Sequence, residues 1–211
     1  MRTLAFDGRM GASGDMVLAA LVAAGADPDA LTPVTDALPV AYEFDDVMEQ
    51  AIAATSARVV YTDDADHGDD SHSHDHDGDG HSHDHSHDHS HDDYDHSHDH
   101  SHDDDHDHSH DHAEGSGPER TYDEVIEILD GMALSESVRS DAERAFRLLG
   151  EAEAAVHDTD LGATPFHEVG ADDAIADVVG ACLLLDDLDV ERVVTTPLAA
   201  GGGEATFSHG T

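Results

Sequence analysis

Histidine is concentrated in one stretch of the chain, between Asp63 and His112. This stretch, the His tract, holds 18 of the 21 histidines and 19 of the 50 acidic residues, and it contains no arginine. A Ser-His-Asp-His unit recurs in it, and residues at positions i and i+2 of an extended chain lie on the same side. Two imidazoles spaced in this way form a local chelate for a divalent metal. The histidines that we assign as metal ligands are His83, His85, His87, His89, His98 and His100.

The residue types of the tract indicate a metal but do not select one. Imidazole suits nickel, copper, zinc and iron, and copper stands above nickel in the general order of affinity. A solvated acidic linker is the alternative, but such a linker has no need of so many histidines. The tract has almost nothing apolar to bury, so we predict that it is disordered. We expect it to gather metal and to release it as pH falls through the imidazole range.

A glycine-rich turn near the N-terminus is a candidate phosphate site. Backbone N–H groups between a strand and a helix can bind a phosphate, and we assign this role to Gly11, Ser13 and Gly14. A Walker loop would need a lysine after its last glycine, and the chain has no lysine, which argues against ATP hydrolysis. Asp7 and Asp15 flank the turn and are candidates for holding a cation beside a phosphorylated ligand. The alternative is that Ser13 or Asp15 simply caps the helix.

A second group of candidate ligands surrounds the expected start of a later helix. His167 and Glu168 precede a helix that begins near Asp172, and Asp173 and Asp177 share one face of it because they are four residues apart. A histidine and several carboxylates at one helix start can form a metal site. An acidic first turn favoured by the helix dipole is the alternative. His167 favours the metal site, because an acidic surface does not need it.

The apolar pattern predicts the strands and helices that must position these residues. The predicted strands are Thr3–Phe6, Ala41–Asp46, Ile52–Tyr61, Arg192–Thr196 and Ala205–Ser208. The predicted helices run from Met16 to a stop at Gly25, from Asp27 to Leu38, from a capping box at Thr121, from a cap at Ser135, and from Asp172. Residues Pro165 to Ala171 are expected to be a connection. We predict an α/β fold in the loose sense, with α+β as the alternative, in which helices pack on a mixed sheet.

The His tract divides the chain into three segments. Residues 1–62 form an N-terminal α/β segment with the glycine-rich turn, and residues 63–118 form the metal-binding linker. Residues 119–211 are expected to complete the same domain as residues 1–62. The chain stops after an apparent strand with no closing helix, and we therefore expect that it is cut short before a C-terminal domain.

The charge of the chain excludes several classes of function. The formal net charge is −42, and outside the tract 31 acidic residues still face 8 arginines. Such self-repulsion is tolerable at molar salt, where the Debye length is about 3 Å, so we predict a halophilic cytoplasmic protein. The chain has no basic patch that could bind nucleic acid. It also shows no signal-peptide pattern and no apolar run long enough to span a membrane. Cys182 is the single cysteine, so there is no disulfide framework.

Three motifs in order resemble the nickel insertion proteins of nickel-pincer cofactor biosynthesis, the LarC family. The N-terminal motif is Leu4-Ala5-Phe6-Asp7 followed by Gly11-Ala12-Ser13-Gly14-Asp15-Met16. The central motif is Phe166-His167-Glu168-Val169-Gly170-Ala171 with Asp173, Asp177 and Gly180. The last motif is Thr196-Pro197-Leu198, Gly201-Gly202-Gly203 and His209-Gly210. A His-rich linker is also common in this family, although many members have a histidine where this chain has Pro165.

The resemblance implies a specific activity. Family members insert Ni²⁺ into a pyridinium mononucleotide carrying two thiocarboxylate groups, a lyase or chelatase type of reaction that forms Ni–S bonds and a Ni–C bond. The reaction uses CTP with Mg²⁺ or Mn²⁺, bound mainly by a C-terminal domain, so a C-terminal half or a homo-oligomer is an expected partner. Cyclometallation needs a base to remove a ring proton, and His167 or Glu168 suits this role.

Two other functions remain open from the sequence. The chain could be a non-enzymatic nickel or zinc storage protein or metallochaperone, because the His tract alone accounts for metal binding. It could also be an enzyme acting on a phosphorylated ligand, with an incidental tract. An assay of nickel insertion by a variant without the tract distinguishes a storage protein or metallochaperone from a nickel insertion enzyme.

Overall fold

The computed structural model describes residues 2–49, 51–62, 118, 120–166 and 169–199. The predictions for the His tract, including His83, His85, His87, His89, His98 and His100, lie outside these residues. So do the predictions for His167, Glu168 and the strand Ala205–Ser208.

The helices of the described residues begin within two residues of their predicted starts, except in the predicted helix Asp27–Leu38, where a 3-10 turn precedes a single turn of α-helix. They are α1 (Gly14–Ala23), α2 (Thr32–Thr35), α3 (Tyr122–Gly131), α4 (Glu136–His157) and α5 (Asp172–Asp187), with 3-10 turns at Pro28–Leu31 and Leu161–Ala163. Local capping explains this agreement. At the start of α3, the Thr121 hydroxyl accepts from the N–H of Glu124, and the Glu124 carboxylate accepts from the N–H of Thr121. At the start of α4, the Ser135 hydroxyl accepts from the N–H of Val138.

Six strands pair within the described residues as three two-stranded sheets. They are β1 (Thr3–Phe6), β2 (Val40–Glu49), β3 (Ile52–Tyr61), β4 (Arg120–Thr121), β5 (Pro165–Phe166) and β6 (Arg192–Thr195). β1 pairs with β6 in parallel, whereas β2 pairs with β3 and β4 pairs with β5 in antiparallel orientation. The mixture of helices with parallel and antiparallel strands confirms the predicted α/β class.

Two local predictions about strands differ from the structure. β2 continues to Glu49, beyond the predicted end at Asp46, because its partner β3 pairs with it along the whole length. Ala51, beside the reversal, has a φ of 66°, the positive value that tight hairpins require. The segment from Pro165 was predicted to be only a connection, but its first two residues form β5, because β4 supplies a partner from far away in the sequence.

Helix α5 lies at the centre of the hydrophobic core. Ile175, Ala176, Val179 and Leu184 are each 0% exposed. α5 packs against α1 and β3 from the segment before the tract and against α4 from the segment after it, so one core is built from both sides of the tract. The predicted domain boundaries stay predictions. No helix within the described ranges is long and apolar enough to cross a membrane.

Candidate metal and substrate site

A small cavity forms where the start of α1 meets the first turns of α5. Its volume is about 120 Å³, and one wall is formed by residues 57–59 of β3. The other lining residues are Ser13, Gly14, Asp15, Asp173 and Asp177. The structure therefore joins the phosphate-binding candidates Ser13 and Gly14 to three of the metal-binding candidates. We call this cavity the carboxylate pocket.

Gly14 allows α1 to approach α5 closely at the carboxylate pocket. A Cβ atom at this position would lie 1.8 Å from Oδ2 of Asp177 and 2.3 Å from its Cγ. A side chain at position 14 would therefore have to displace this carboxylate. The glycine of the N-terminal motif and the aspartate of the central motif are thus matched to each other, although 162 residues separate them in the sequence.

The carboxylates of α5 are partly withdrawn from solvent. Oδ1 of Asp173 and Oδ1 of Asp177 each expose less than 1 Å². Removing an ionised carboxylate from water costs free energy that hydrogen bonds or a nearby cation must offset. The pocket therefore brings these two carboxylates, each with a buried oxygen, to the same cavity as Asp15.

The start of α1 faces the carboxylate pocket without a side-chain cap. Ser13 occupies the N-cap position, but its side chain makes no capping hydrogen bond. Its hydroxyl donates instead to the carboxylate of Asp15. The first N–H groups of a helix have no partner within the helix, and the positive end of the helix dipole lies beside them. These N–H groups can interact with an anion, but the carboxylates of Asp15, Asp173 and Asp177 already lie at this helix start.

Asp7 and Gly11 do not line the carboxylate pocket. The Asp7 carboxylate accepts from the Arg9 guanidinium, with Nε–Oδ1 and Nη2–Oδ2 distances of 2.7 and 2.5 Å. This hydrogen-bonded guanidinium lowers the pKa of Asp7. Gly11, at a φ of 95°, donates its N–H to the carbonyl of Gly8 at 3.0 Å, so that N–H is used within the turn.

Thr196 of the last motif fixes the glycine-rich turn in place. Its N–H donates to the Phe6 carbonyl at 3.1 Å, and its hydroxyl accepts from the N–H of Gly8 at 2.9 Å. Leu198 then packs so tightly on Gly8 that a Cβ there would lie 2.1 Å from Cδ2 of the leucine. The sequence analysis missed this role of Thr196. In the sequence, only the order of the three motifs indicates that Thr196 lies near the glycine-rich turn.

The start of α5 is held by a buried ion pair that the sequence analysis also missed. Arg120 in β4 donates from Nη2 to Oδ1 of Asp172 at 2.7 Å and from Nη1 to the carbonyl of Gly170 at 2.7 Å. The side chains are only 16% and 5% exposed. This pair fixes the end of the segment that carries His167 and Glu168 in the sequence. No local pattern indicates a pair between residues so far apart.

Two tyrosine hydroxyls near these carboxylates stay protonated. Tyr42 donates to the carbonyl of Ala176 at 2.7 Å. Burial raises the pKa of Tyr42, and the charge of Asp177 raises it further. Burial likewise raises the pKa of Tyr61, with further contributions from Asp172 and Asp173. Both side chains therefore remain neutral hydrogen-bonding groups at physiological pH.

The described residues do not by themselves form a metal-binding site. Within them, no three His, Cys, Asp or Glu side chains converge closely enough to hold a metal ion. Asp15, Asp173 and Asp177 line one pocket, and a metal ion there would need further ligands, for which His167 and Glu168 are the predicted candidates. The assignment of ligands and of a base stays a prediction.

The carboxylate pocket thus brings together the glycine-rich turn before α1 and two aspartates of α5. The family model for nickel insertion proteins matches residues 4–211, and the chain belongs to this family. The predicted family resemblance is confirmed. No solved structure gives a significant match.

Two relatives are similar along the whole chain. One, from Methanococcoides burtonii, is 32% identical over 212 residues and carries the provisional name of a nickel insertion protein. The other, from Akkermansia muciniphila, is 32% identical over 215 residues and is named pyridinium-3,5-bisthiocarboxylic acid mononucleotide nickel insertion protein. The chain covers 40% and 42% of the lengths of these relatives. A third relative, from Geotalea daltonii, is 43% identical over 97 residues, which are 46% of this chain and 25% of that relative.

Proposed function

We propose that this chain takes part in inserting nickel into pyridinium-3,5-bisthiocarboxylic acid mononucleotide to form the nickel-pincer nucleotide. The observation that carries the proposal is the carboxylate pocket, where two motifs of the nickel insertion family meet at Gly14 and Asp177. The name of the Akkermansia muciniphila relative supports the choice of substrate. In this proposal nickel is a substrate of the reaction rather than a resident cofactor.

The carboxylate pocket has room for one ion and one phosphate group, and a bound dication would have to offset the charge of its three aspartates before a phosphate could bind beside them. Its volume of about 120 Å³ leaves room for roughly four water-sized groups, which is too little for a whole nucleotide. We assign the start of α1 to the substrate phosphate and Asp15, Asp173 and Asp177 to the incoming nickel ion. The pyridinium ring and its thiocarboxylates then lie outside the pocket.

His167 and Glu168 are our candidates for the base. Removing a proton from the ring carbon leaves the electron pair of the C–H bond for the Ni–C bond, and the proton passes to the base. The Arg120–Asp172 pair fixes the backbone at Gly170, close in sequence to both candidates. The whole reaction, of the lyase or chelatase type, takes place in the cytoplasm at high salt. It also requires CTP with Mg²⁺ or Mn²⁺, which we assign to a C-terminal domain and to no residue of this chain.

A mutational assay of nickel insertion tests the assignment, with the C-terminal half of a relative supplied in excess. We expect His167→Ala or Asp177→Asn to lower product formation at least tenfold. Asp36→Asn is the matched control, because it removes an exposed carboxylate from the end of α2 and should leave the rate unchanged. Unchanged turnover in His167→Ala would remove His167 from the site.

The same assay separates nickel insertion from metal storage. A variant without residues 63–112 should still insert nickel when nickel is saturating, because the tract only gathers the ion. If neither this variant nor the parent chain ever forms product, the chain is a nickel or zinc storage protein or a metallochaperone.

A further inference from the structure

Arg58 is the basic residue of the carboxylate pocket. It lies on β3 in the wall formed by residues 57–59, and it is the only basic residue among the described residues that line the pocket. Three carboxylates and one guanidinium give this lining a formal charge of −2, which a single Ni²⁺ ion balances. A phosphate group bound beside that ion brings further negative charge. Guanidinium matches phosphate well, because its N–H groups donate in pairs to two oxygens.

In the structure, the Arg58 guanidinium bonds to two carboxylates of β2. Its Nη2 lies 3.2 Å from Oε2 of Glu43 and 3.2 Å from Oδ2 of Asp45. Glu43 is directly opposite Arg58 in the register of the hairpin, and Asp45 is the next residue on the same face. The three side chains are 44%, 37% and 59% exposed. Ion pairs at such exposure contribute little stability, and still less at high salt, so the guanidinium can leave these partners easily.

The other edge of β3 borders the pocket. Within the described residues β3 pairs with β2 alone, so this second edge has no neighbouring strand. Successive side chains of a strand point to opposite faces, so three consecutive residues line one cavity along the edge of their strand. Since β2 occupies one edge, the pocket lies at the open one. A side chain that crosses about 4.8 Å to a neighbouring strand can reach about as far over the open edge, toward the pocket.

We propose that Arg58 selects the phosphorylated substrate by turning from Glu43 and Asp45 to the phosphate group in the carboxylate pocket. The start of α1 contacts the same phosphate from the opposite wall. Glu43 and Asp45 are competing partners that hold the guanidinium on the hairpin until a phosphate arrives. This inference rests on the proposed function of the pocket, and it names the residue that distinguishes a mononucleotide from the corresponding nucleoside.

Calorimetric titration of the full chain tests this selection without an assay of insertion. The first probe is pyridinium-3,5-biscarboxylic acid mononucleotide, in which carboxylates replace the thiocarboxylates, and the second is the same molecule without its phosphate. Each is titrated at saturating Ni²⁺ in molar KCl without CTP. Arg58→Gln should lower the affinity for the mononucleotide at least tenfold and leave the affinity for the nucleoside within twofold. Arg147→Gln is the matched control, because Arg147 is exposed on α4 and is not part of the described lining of the pocket.

Removal of the competing carboxylates should change the affinity in the opposite direction. Glu43→Gln combined with Asp45→Asn keeps the size of both side chains, and neither residue is part of the described lining of the pocket. The affinity for the mononucleotide should rise about threefold, because Arg58 no longer has to leave an exposed ion pair. The gain should disappear when Arg58→Gln is added, which separates it from a general loss of negative charge. An arginine that only stabilised the hairpin would give no such gain.

Three results would overturn the inference, and they differ in what else they remove. If Arg58→Gln weakens both probes equally or neither, or if the gain persists in its presence, Arg58 does not bind the phosphate, and the proposed function stands. If the parent chain binds the mononucleotide no more tightly than the nucleoside, the assignment of the phosphate to the start of α1 fails as well. If the parent chain binds neither probe, the proposed function fails together with the inference.

Discussion

Gly14→Ala should weaken nickel binding at the carboxylate pocket without unfolding the protein. The new Cβ would lie 1.8 Å from Oδ2 of Asp177, so the carboxylate must move by about 1.5 Å to reach an ordinary contact distance. Metal–carboxylate bonds are about 2.1 Å long and tolerate changes of only about 0.2 Å, so this bond is lost. We expect the Kd for nickel to rise at least tenfold, which is about 1.4 kcal/mol.

The same substitution has a small effect on the free energy of unfolding. Crowding at a packed site costs about 1–3 kcal/mol, and Gly14, as the first residue of α1, returns only part of the roughly 1 kcal/mol that alanine gains over glycine in a helix interior. The difference is small beside a typical stability of roughly 5–15 kcal/mol. Gly131→Ala at the end of α3 is the matched control, because a Cβ there meets no atom within 4 Å.

The assay is calorimetric titration with Ni²⁺ in molar KCl. The variants should have a Gly-Ser linker in place of residues 63–117, so that the tract does not contribute heat. If Gly14→Ala binds nickel as tightly as Gly131→Ala, the Asp177 carboxylate is not a nickel ligand.

Three further predictions concern the residues around the pocket. Arg120→Gln should lower the free energy of unfolding by about 3 kcal/mol in urea denaturation, because Asp172 is left charged and buried, and adding Asp172→Asn should recover part of this loss. Tyr42→Phe should cost about 1 kcal/mol in the same assay, because the hydrogen bond to the Ala176 carbonyl is lost; no change would mean that this bond is unimportant. Burial and the charge of Asp141 raise the pKa of Cys182 to about 11. Labelling of this thiol by iodoacetamide should therefore be slow at pH 8 and become faster up to about pH 11. The stability due to the protonated thiol should be lost as the pH rises above roughly 8.5, where the thiol of the unfolded chain begins to ionise.

The elements that the sequence predicted well are those with local signals. The capping box at Thr121 and the cap at Ser135 act within one helical turn, so the starts of α3 and α4 follow from neighbouring residues alone. The short strand β5 could not be predicted in this way. Its two residues form a strand only because Arg120 and Thr121 lie beside them in the fold.

The candidate site was predicted as two separate groups of residues. Ser13 and Gly14 were assigned to a phosphate with Asp15 to a cation beside it, and Asp173 and Asp177 were assigned to a metal, because each group has its own local pattern. The packing of α1 on α5 joins them, and nothing in the spacing of either group indicates that packing. Arg120 was missed for the same reason, since its partner is 52 residues away.

A crystal of the chain with Ni²⁺ and the pyridinium mononucleotide, measured at the nickel absorption edge, tests the central claim most directly. We predict an anomalous peak between the start of α1 and α5, about 2.1 Å from a carboxylate oxygen of Asp173 or Asp177. A map with bound substrate and occupied tract histidines, but with no peak between these two helices, would contradict the claim that nickel is inserted there.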